Sequence, residues 1–393
     1  MRAKLIEAHP DVVRLGMVSF LTDVSSEAIF SVFAIFFTAI AGASAELLGT
    51  VEGLADFSAS ALDYVSGWLA DRSGRRKPFA LAGYGFSAAA KLLLVTANSV
   101  AALGLFRVVE RLGKSFRGPP RDAWVATLAD KSVRGYSFGV HRALDKAGAI
   151  VGPLLAYALL RWLGEGARTF HIIFIGAVIS AGAAVVLLAA MKDRPGVRHR
   201  SESVVEAWAN LGRGFKMYLV PAGIFSLAYF SFGFLLLRAY ELGVGARDVV
   251  LLYALFNTSF AVVAAPIGRI GDIVGRKYVV AFGYLSCLIM LLGFMFATLR
   301  WQLVILFALF GVFNAIDEAQ GKAFITDLEG ERWASAIGLY NFVTGMVYFP
   351  ASLIAGLLWM LDPAYAFGFS AAVTIAALIV FVILGPGITE ARA

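Results

Sequence analysis

Six ionisable residues stand at helical spacing within an apolar region of the chain: Arg107, Glu110, Arg111, Lys114, Arg117 and Arg121, in the stretch RVVERLGKSFRGPPRD. At about 100° per residue they fall within an arc of roughly 120°, so one helix face carries all six. Guanidinium and carboxylate groups on one face support two kinds of chemistry. They can hold an anion through charge-assisted hydrogen bonds, or hold carboxylates whose protonation follows their surroundings. Glu110 reaches Arg107 three residues back and Lys114 four residues on, which offsets part of the cost of gathering these charges. Pro119 and Pro120 are expected to bend the far end of the helix.

A second set lies near the N-terminus. Asp23 and Glu27 are four apart, hence on one face, with Ser19 and Ser26 beside them. They stand about 12 to 18 Å in from a start near Leu15, a depth that Arg107 and Arg111 reach from the opposite side. Arg107, Arg111 and Lys114 then face Asp23, Glu27 and Glu110, and the charges nearly cancel. Further along, Asn314, Asp317, Glu318 and Lys322 interrupt another apolar run. Weaker candidates are a stripe of Glu52, Asp56 and Asp63, the pair His141 and Asp145, and the aromatics Tyr229, Phe230, Phe232 and Phe234, which either stack on a substrate or fill the core.

The elements that position these residues follow from composition. Of 393 residues, 60% are hydrophobic and 16% charged, with 40 Gly and 32 Phe, and the mean hydropathy is +0.78. This apolar share exceeds that of soluble domains and implies a polytopic membrane protein. Apolar runs long enough to cross about 30 Å of hydrocarbon recur throughout. Twelve are expected, at 15–41, 47–69, 79–97, 100–128, 136–161, 170–191, 217–241, 248–270, 278–298, 301–326, 333–360 and 364–386. Several charges at the bilayer centre cannot face lipid, at about 2.5 to 3.5 kcal/mol each, so the stripe must face water or partners.

An even number of spans puts both termini on one side. The basic clusters at 74–78, at Lys131 and Arg134, from Lys192 to Lys216, and at Arg276 and Lys277 fall on alternate loops on that same side. The opposite loops carry scattered positives such as Arg161, Arg168 and Arg247. Both termini are therefore expected in the cytoplasm, with the protein in the plasma (inner) membrane. The net charge of +7 reflects that orientation and does not call for a nucleic-acid partner. Asp23 and Glu27 interrupt the first apolar run, which continues far beyond signal-peptide length, so it reads as a retained span. The single cysteine, Cys287, allows no intrachain disulfide, and no Cys and His cluster suits a metal. No G-x-x-x-x-G-K-[ST] loop argues for a built-in ATPase, and no cofactor is implied.

The chain also repeats itself. GWLADRSGRRK at 67–77 returns as GRIGDIVGRKY at 268–278, so that Gly67, Asp71, Gly74, Arg75 and Arg76 map onto Gly268, Asp272, Gly275, Arg276 and Lys277. Each copy follows the second span of its half. The reading is an N-terminal six-helix half at 1–191, a cytoplasmic linker at 192–216 with an amphipathic helix around Val204 to Leu211, and a C-terminal half at 217–393.

The G-x-L-A-D-R-x-G-R-R-K pattern resembles the signature loop of the major facilitator superfamily, which that family repeats after its eighth span. Gly139, Gly148, Gly152 and Pro153 stand at the spacing G-x8-G-x3-G-P, similar to a motif of the family's drug/proton antiporters. Four positions depart from the family. Ala156 and Tyr157 replace two glycines, and Glu110 and Arg111 replace the last pair of R-x-x-Q-G, whose arginine is kept as Arg107. The resemblance implies an all-α fold of twelve transmembrane helices in two pseudo-symmetric halves around a central cavity lined by spans one, four, seven and ten. It also implies alternating access.

In the signature loop, Asp71 beside Arg72, Arg75 and Arg76, with Asp272, Gly275 and Arg276 in the second copy, can bridge helix ends in one state and release them in another, the alternative being a basic loop that only sets topology. Gly148 and Gly152 permit close helix approach, and Pro153 a bend.

The expected function is secondary active transport, with proton-coupled export or exchange of a small anionic, zwitterionic or drug-like solute. Arg107, Arg111, Lys114, Tyr229 and Asn314 are the candidate substrate contacts. Asp23, Glu27, Glu110, Asp317 and Glu318 are the candidate proton carriers. Alternatives are an uptake permease for an organic acid or metal chelate, and a non-transporting scaffold or receptor. The expected partners are substrate, protons and lipid, with the protein a monomer that is not an enzyme.

Overall fold

The computed structural model of the chain describes residues 9–128, 134–193, 208, 210–329 and 333–389. Among these residues the chain is helical nearly throughout, with no strand. Most of the expected linker helix, and Lys131, lie outside the described residues.

The first half comprises α1 Pro10–Ile35, α2 Ala45–Ser73, α3 Lys77–Thr96, α4 Val100–Leu128, α5 Arg134–Leu163 and α6 Ala167–Ala190. The second comprises α7 Arg213–Ser226, α8 Phe232–Glu241, α9 Ala246–Val274, α10 Arg276–Phe296, α11 Arg300–Ile316, α12 Lys322–Glu329, α13 Trp333–Leu361 and α14 Pro363–Thr389. Two spans are broken: α7 and α8 share the seventh, and α11 and α12 share the tenth, joined by a wide π-helical turn at Asp317–Gly321. The twelve expected spans thus each have a helix or a broken pair.

Eight stretches, in α1, α3, α5, α6, α9, α10, α13 and α14, are long and apolar enough to cross a membrane by length and composition. The other spans are the two broken ones and the two charge-bearing helices, α2 with Glu46, Glu52, Asp56 and Asp63, and α4 with the arginine stripe. Large apolar side chains stand exposed along the apolar helices, among them Ile179, Val186, Val262, Ile273 and Ile383. These are the surfaces that hydrocarbon must cover.

Two compact units result. One combines the chain up to Phe33 with the chain from Leu62 to the linker. The other combines Ala34–Ala61 with the C-terminal half. Lipid is as apolar as leucine, so helix association inside a bilayer relies on close packing and polar contacts. In the first unit, α3 and α4 meet at two glycines. A Cβ at Gly113 would stand 2.6 Å from the Ser87 backbone nitrogen, and one at Gly83 2.6 Å from that of Arg117. The α5 helix meets α1 the same way: a Cβ at Gly152 would stand 2.5 Å from the Val24 carbonyl oxygen, and Gly148 lies against the Phe20 carbonyl. Gly139 has nothing within 4 Å. One end of the unit is sealed by Val12, Leu15, Tyr84, Trp124, Val125 and Leu188.

The second unit has an aromatic interior. Phe232 packs on Tyr253, Phe256, Phe307 and Phe310, and Phe234 on Trp359. Gly311 lets α11 approach α9, with a Cβ position 2.6 Å from the Phe256 carbonyl oxygen. The first half of α2 lies on α13 through Gly49 and Gly53. The break at 227–231 is stabilised by Ser231, which accepts from the Gly233 N–H at 3.1 Å and donates to Glu52 Oε2 at 3.0 Å. The expected bend at Pro119 and Pro120 does not interrupt α4, which runs through both as one helix.

These contacts predict the cost of a single methyl group. Gly113→Ala forces α3 and α4 apart against backbone and is expected to destabilise by about 1–3 kcal/mol. Gly139→Ala adds a methyl in open space and should leave the melting temperature in detergent unchanged or slightly raised. Equal melting of the two variants would contradict the packing described.

Candidate functional site

Antiparallel packing of α1 and α4 converts the two charge stripes into a ladder. Arg121 donates to Ser19 at 3.3 Å. Arg117 lies 3.9 Å from Asp23. Lys114 pairs with Glu27 at 3.3 Å, and the Arg107 guanidinium stacks over Phe30 at 4.7 Å. From Ser19 through Asp23 to Glu27, each forward step of four residues in α1 is matched by a backward step of three or four in α4, and the last step, to Phe30, is matched by one of seven, two turns, as expected when two 3.6-residue helices face each other.

The ladder pairs Asp23 and Glu27 with Arg117 and Lys114, deeper along α4 than Arg107 and Arg111. Arg107 instead serves Glu110, at 3.2 Å. Arg111 is half-buried on the same helix. Asp23, Glu110, Arg107, Arg117 and Arg121 are all at most 8% exposed. Burial of this kind is tolerable only where opposite charge or hydrogen bonds replace water.

Two further helices complete the cluster. From α3, Tyr84 offers its ring to Arg117 at 4.6 Å and its hydroxyl to Ser19 at 3.1 Å. Ser87 donates to Glu110 at 3.5 Å. Lys91, fully buried, donates to Ser26 Oγ at 2.9 Å. Ser26 in turn donates to Glu110 Oε1 at 3.0 Å. From α5, His141 Nε2 lies 3.1 Å from Ser19 Oγ, and Asp145 takes Arg121 at 3.5 Å and Arg142 at 3.8 Å. Asp122 also binds Arg121 and Arg142, at 3.0 and 3.2 Å. His141 and Asp145 are therefore members of the network. Lys91, Tyr84 and Ser87 escaped the sequence reading, though a lone lysine within AAAKLLLV is itself an intramembrane charge of the kind that marks a site.

The second-half candidates lie apart from this cluster in the sequence and within the other unit. Tyr229 sits in the break between α7 and α8, its ring 5.0 Å from that of Tyr348. Phe230, Phe232 and Phe234 are buried core residues. Asn314 donates to the Phe310 carbonyl at 3.0 Å. Asp317 and Glu318 open the π-helical turn, Asp317 half-buried and Glu318 exposed. In the same turn Gln320 donates to the Ile267 carbonyl at 3.1 Å, joining the tenth span to α9.

The repeated loops place their glycines at positive φ, +67° at Gly74 and +103° at Gly275, which a residue with a side chain adopts only at a cost. Arg76 is buried and donates to the Gly74 carbonyl at 3.1 Å, whereas Arg72 and Arg75 are exposed. Lys77 donates to the Ala189 carbonyl at 2.8 Å and to that of Met191, capping α6. In the second copy Arg276 binds the Ala323 carbonyl at 2.9 Å and Asp327 at 2.8 Å, tying the loop to α12. Gly67, Asp71 and Asp272 lie in helices α2 and α9, and their side chains are outside the described ones. In α5, Gly148, Gly152 and Pro153 face or adjoin α1, and Gly139 stands open.

Removing one partner of a buried pair leaves the other uncompensated. Arg117→Met is expected to destabilise by about 3–5 kcal/mol, and adding Asp23→Asn should recover much of that loss. Thermal unfolding of the two variants tests this; a single mutant as stable as the parent would show that Asp23 does not depend on Arg117.

The model of the Major Facilitator Superfamily matches residues 15–240 and 222–391. An uncharacterized MFS-type transporter of Methanocaldococcus jannaschii is 35% identical over 368 residues, 92% of this chain and 91% of that one. An uncharacterized protein of Mycobacterium tuberculosis is 30% identical over 363 residues, 89% and 86% of the two chains. The multidrug resistance protein MdtH of Yersinia enterocolitica is 32% identical over 168 residues, 42% of this chain and 40% of its own. Among solved structures, the nucleoside transporter NupG has a TM-score of 0.79 at 12% identity, covering 95% of this chain and 99% of that one. A peptide transporter POT also reaches 0.79 at 12% identity, covering 98% and 96%. The chain belongs to the Major Facilitator Superfamily and is a membrane transporter of that fold.

Proposed function

We propose that this transporter couples proton movement to the export or exchange of a small anionic, zwitterionic or drug-like solute by alternating access. The observation that carries the reading is the ladder of Asp23 and Glu27 on α1 against Arg117 and Lys114 on α4. A carboxylate held by a cation is a proton site whose occupancy responds to hydration and to a competing anion. Each carboxylate that gains a proton releases a cation, and each cation released can take the negative group of a solute. Solute anion and carboxylate thereby compete for the same cation, so that proton uptake and anion binding favour each other and the two movements are coupled. Arg107, Arg111 and Lys114 are the proposed solute contacts in this half, with Tyr229 and Asn314 in the other. Asp23, Glu27 and Glu110, with Asp317 and Glu318, are the proposed proton carriers.

The drug-like part of the reading draws support from the partial match to MdtH, a multidrug resistance protein. The antiporter-like spacing of Gly139, Gly148, Gly152 and Pro153 agrees with it. The gate is assigned to the two repeated loops. Arg276 holding Ala323 and Asp327 is the kind of contact that can be made in one state and broken in another. The proposed arrangement has halves at 1–191 and 217–393 joined by a cytoplasmic linker at 192–216, both termini in the cytoplasm, and a monomer in the inner membrane.

The reading is tested in proteoliposomes under an imposed pH gradient, with a panel of organic acids and drug-like compounds and an internal pH-sensitive dye. Solute-dependent proton movement is expected, and its absence across the panel would favour a non-transporting role. Asp23→Asn and Glu27→Gln are expected to abolish accumulation driven by the gradient while leaving solute exchange at least partly intact. Unchanged accumulation in both variants and in their double mutant would move the coupling to Asp317 or Glu318. Asp71→Asn is expected to slow flux at equal expression, and wild-type flux would remove the loop from the gate.

A further inference from the structure

Lys91 has no exposed surface, and its ammonium meets Glu110 through a serine. Nζ donates to Ser26 Oγ at 2.9 Å, and Oγ donates to Glu110 Oε1 at 3.0 Å. The two ends fix the direction of the hydroxyl between them. An ammonium only donates and an ionised carboxylate only accepts, so the serine hydrogen points to Glu110 while a lone pair of its oxygen receives Lys91. Three helices hold this chain of hydrogen bonds together: α3 brings the lysine, α1 the serine and α4 the glutamate.

Separated charge is costly away from water, so burial narrows the gap between the pair with opposite charges and the same pair neutral. The other charges around Lys91 are Arg117 and Lys114 from α4 and Asp23 from α1, and Ser87 of α3 donates to Glu110 at 3.5 Å. Ser26, Lys91, Arg107 and Glu110 also border a cavity with room for about one water molecule. That volume admits water and a proton it carries, and it excludes an organic solute.

We propose that Ser26 relays a proton between Lys91 and Glu110, which makes the lysine a further proton-carrying group of the first unit. In the transfer one Nζ–H bond breaks and its electron pair stays on the nitrogen. Ser26 Oγ takes that proton and gives its own to Glu110 Oε1. The products are an amine, a hydroxyl pointing the opposite way and a neutral carboxyl, and the total charge is unchanged. The reverse step restores the ion pair. A neutral Glu110 holds the Arg107 guanidinium less strongly, which is how the relay reaches a proposed solute contact. That last link rests on the transport reading above, whereas the relay itself does not.

The test reads Lys91 directly. The full chain, purified in detergent and labelled with the heavy nitrogen isotope at its lysine side chains, is transferred to heavy water at fixed pH. Deuterium entry at the Lys91 nitrogen is followed by NMR, with Lys91→Arg identifying the signal. Exchange in Ser26→Ala is expected to be slower than in the parent by about tenfold or more, because the route through the hydroxyl is gone. Ser26→Thr keeps a hydroxyl and is expected to exchange at close to the parent rate. A serine that merely anchors the ammonium predicts the opposite sign, since its loss frees the N–H groups and speeds exchange. Unchanged or faster exchange in Ser26→Ala, or a threonine variant as slow as the alanine one, would overturn the relay. If Ser26→Ala does not yield folded protein, Glu110→Gln decides: it removes the receiving base and is expected to slow exchange in the same way, and an unchanged or faster rate would overturn the relay. Slowed exchange in Ser26→Ala, together with no solute-dependent proton movement in parent proteoliposomes, would keep the relay and end the transport reading. Solute-dependent proton movement with unchanged exchange would do the reverse.

Discussion

A charge in hydrocarbon must find an opposite charge or a donor within the protein, and the first six helices are organised by that requirement. Glu110 shows how tightly. Its carboxylate receives Arg107, Ser26 and Ser87, and through Ser26 it also answers for Lys91. Three helices are thereby committed to one position relative to each other, since α1 brings the serine, α3 the lysine and second serine, and α4 the rest. The glycine contacts follow from the same demand. Hydrogen bonds near 3 Å between side chains as short as serine require backbones that nearly touch, as they do at Gly83 and Gly113.

The two units meet the requirement for internal cohesion differently. The first uses ion pairs and hydroxyls across α1, α3, α4 and α5. The second uses stacked aromatics around Phe232 and Tyr218, with Asp317 and Glu318 at the π-helical turn of the tenth span. Aromatic packing holds one arrangement without ionisable groups, whereas ion pairs can be exchanged for a proton or a solute. The asymmetry explains why the repeated fold need not imply repeated chemistry: both halves carry the signature loop, and the first places a charge ladder between α1 and α4.

Much of this was legible in the sequence. Span positions followed from hydropathy to within a few residues because the hydrocarbon thickness fixes helix length. The face of α4 and that of α1 followed from helical spacing. What periodicity cannot supply is the sliding of one helix along another. The expectation set Arg107, Arg111 and Lys114 at the level of Asp23 and Glu27; Lys114 does pair with Glu27, whereas Asp23 stands beside Arg117, which was not among them. The break at 227–231 was hidden because LAYFS is as apolar as its neighbours, and its stabilising hydroxyl, Ser231, gains meaning only when Glu52 is brought to it from α2. Lys91 was missed for the opposite reason: one charge in an otherwise apolar helix forms no pattern.

The composition of α4 has a consequence for how the protein is made. Arg107, Glu110, Arg111, Lys114 and Arg117 lie within three turns, and each charge at the membrane centre costs about 2.5 to 3.5 kcal/mol to insert alone. Such a segment cannot partition into lipid as an isolated helix when it leaves the ribosome. Its preceding neighbour α3 is joined to it by only residues 97–99 and matches it glycine to backbone along the hairpin. The two must therefore enter the bilayer together, with α1 already in place to receive Lys114 and Arg117, while Asp145, the α5 partner of Arg121, follows them.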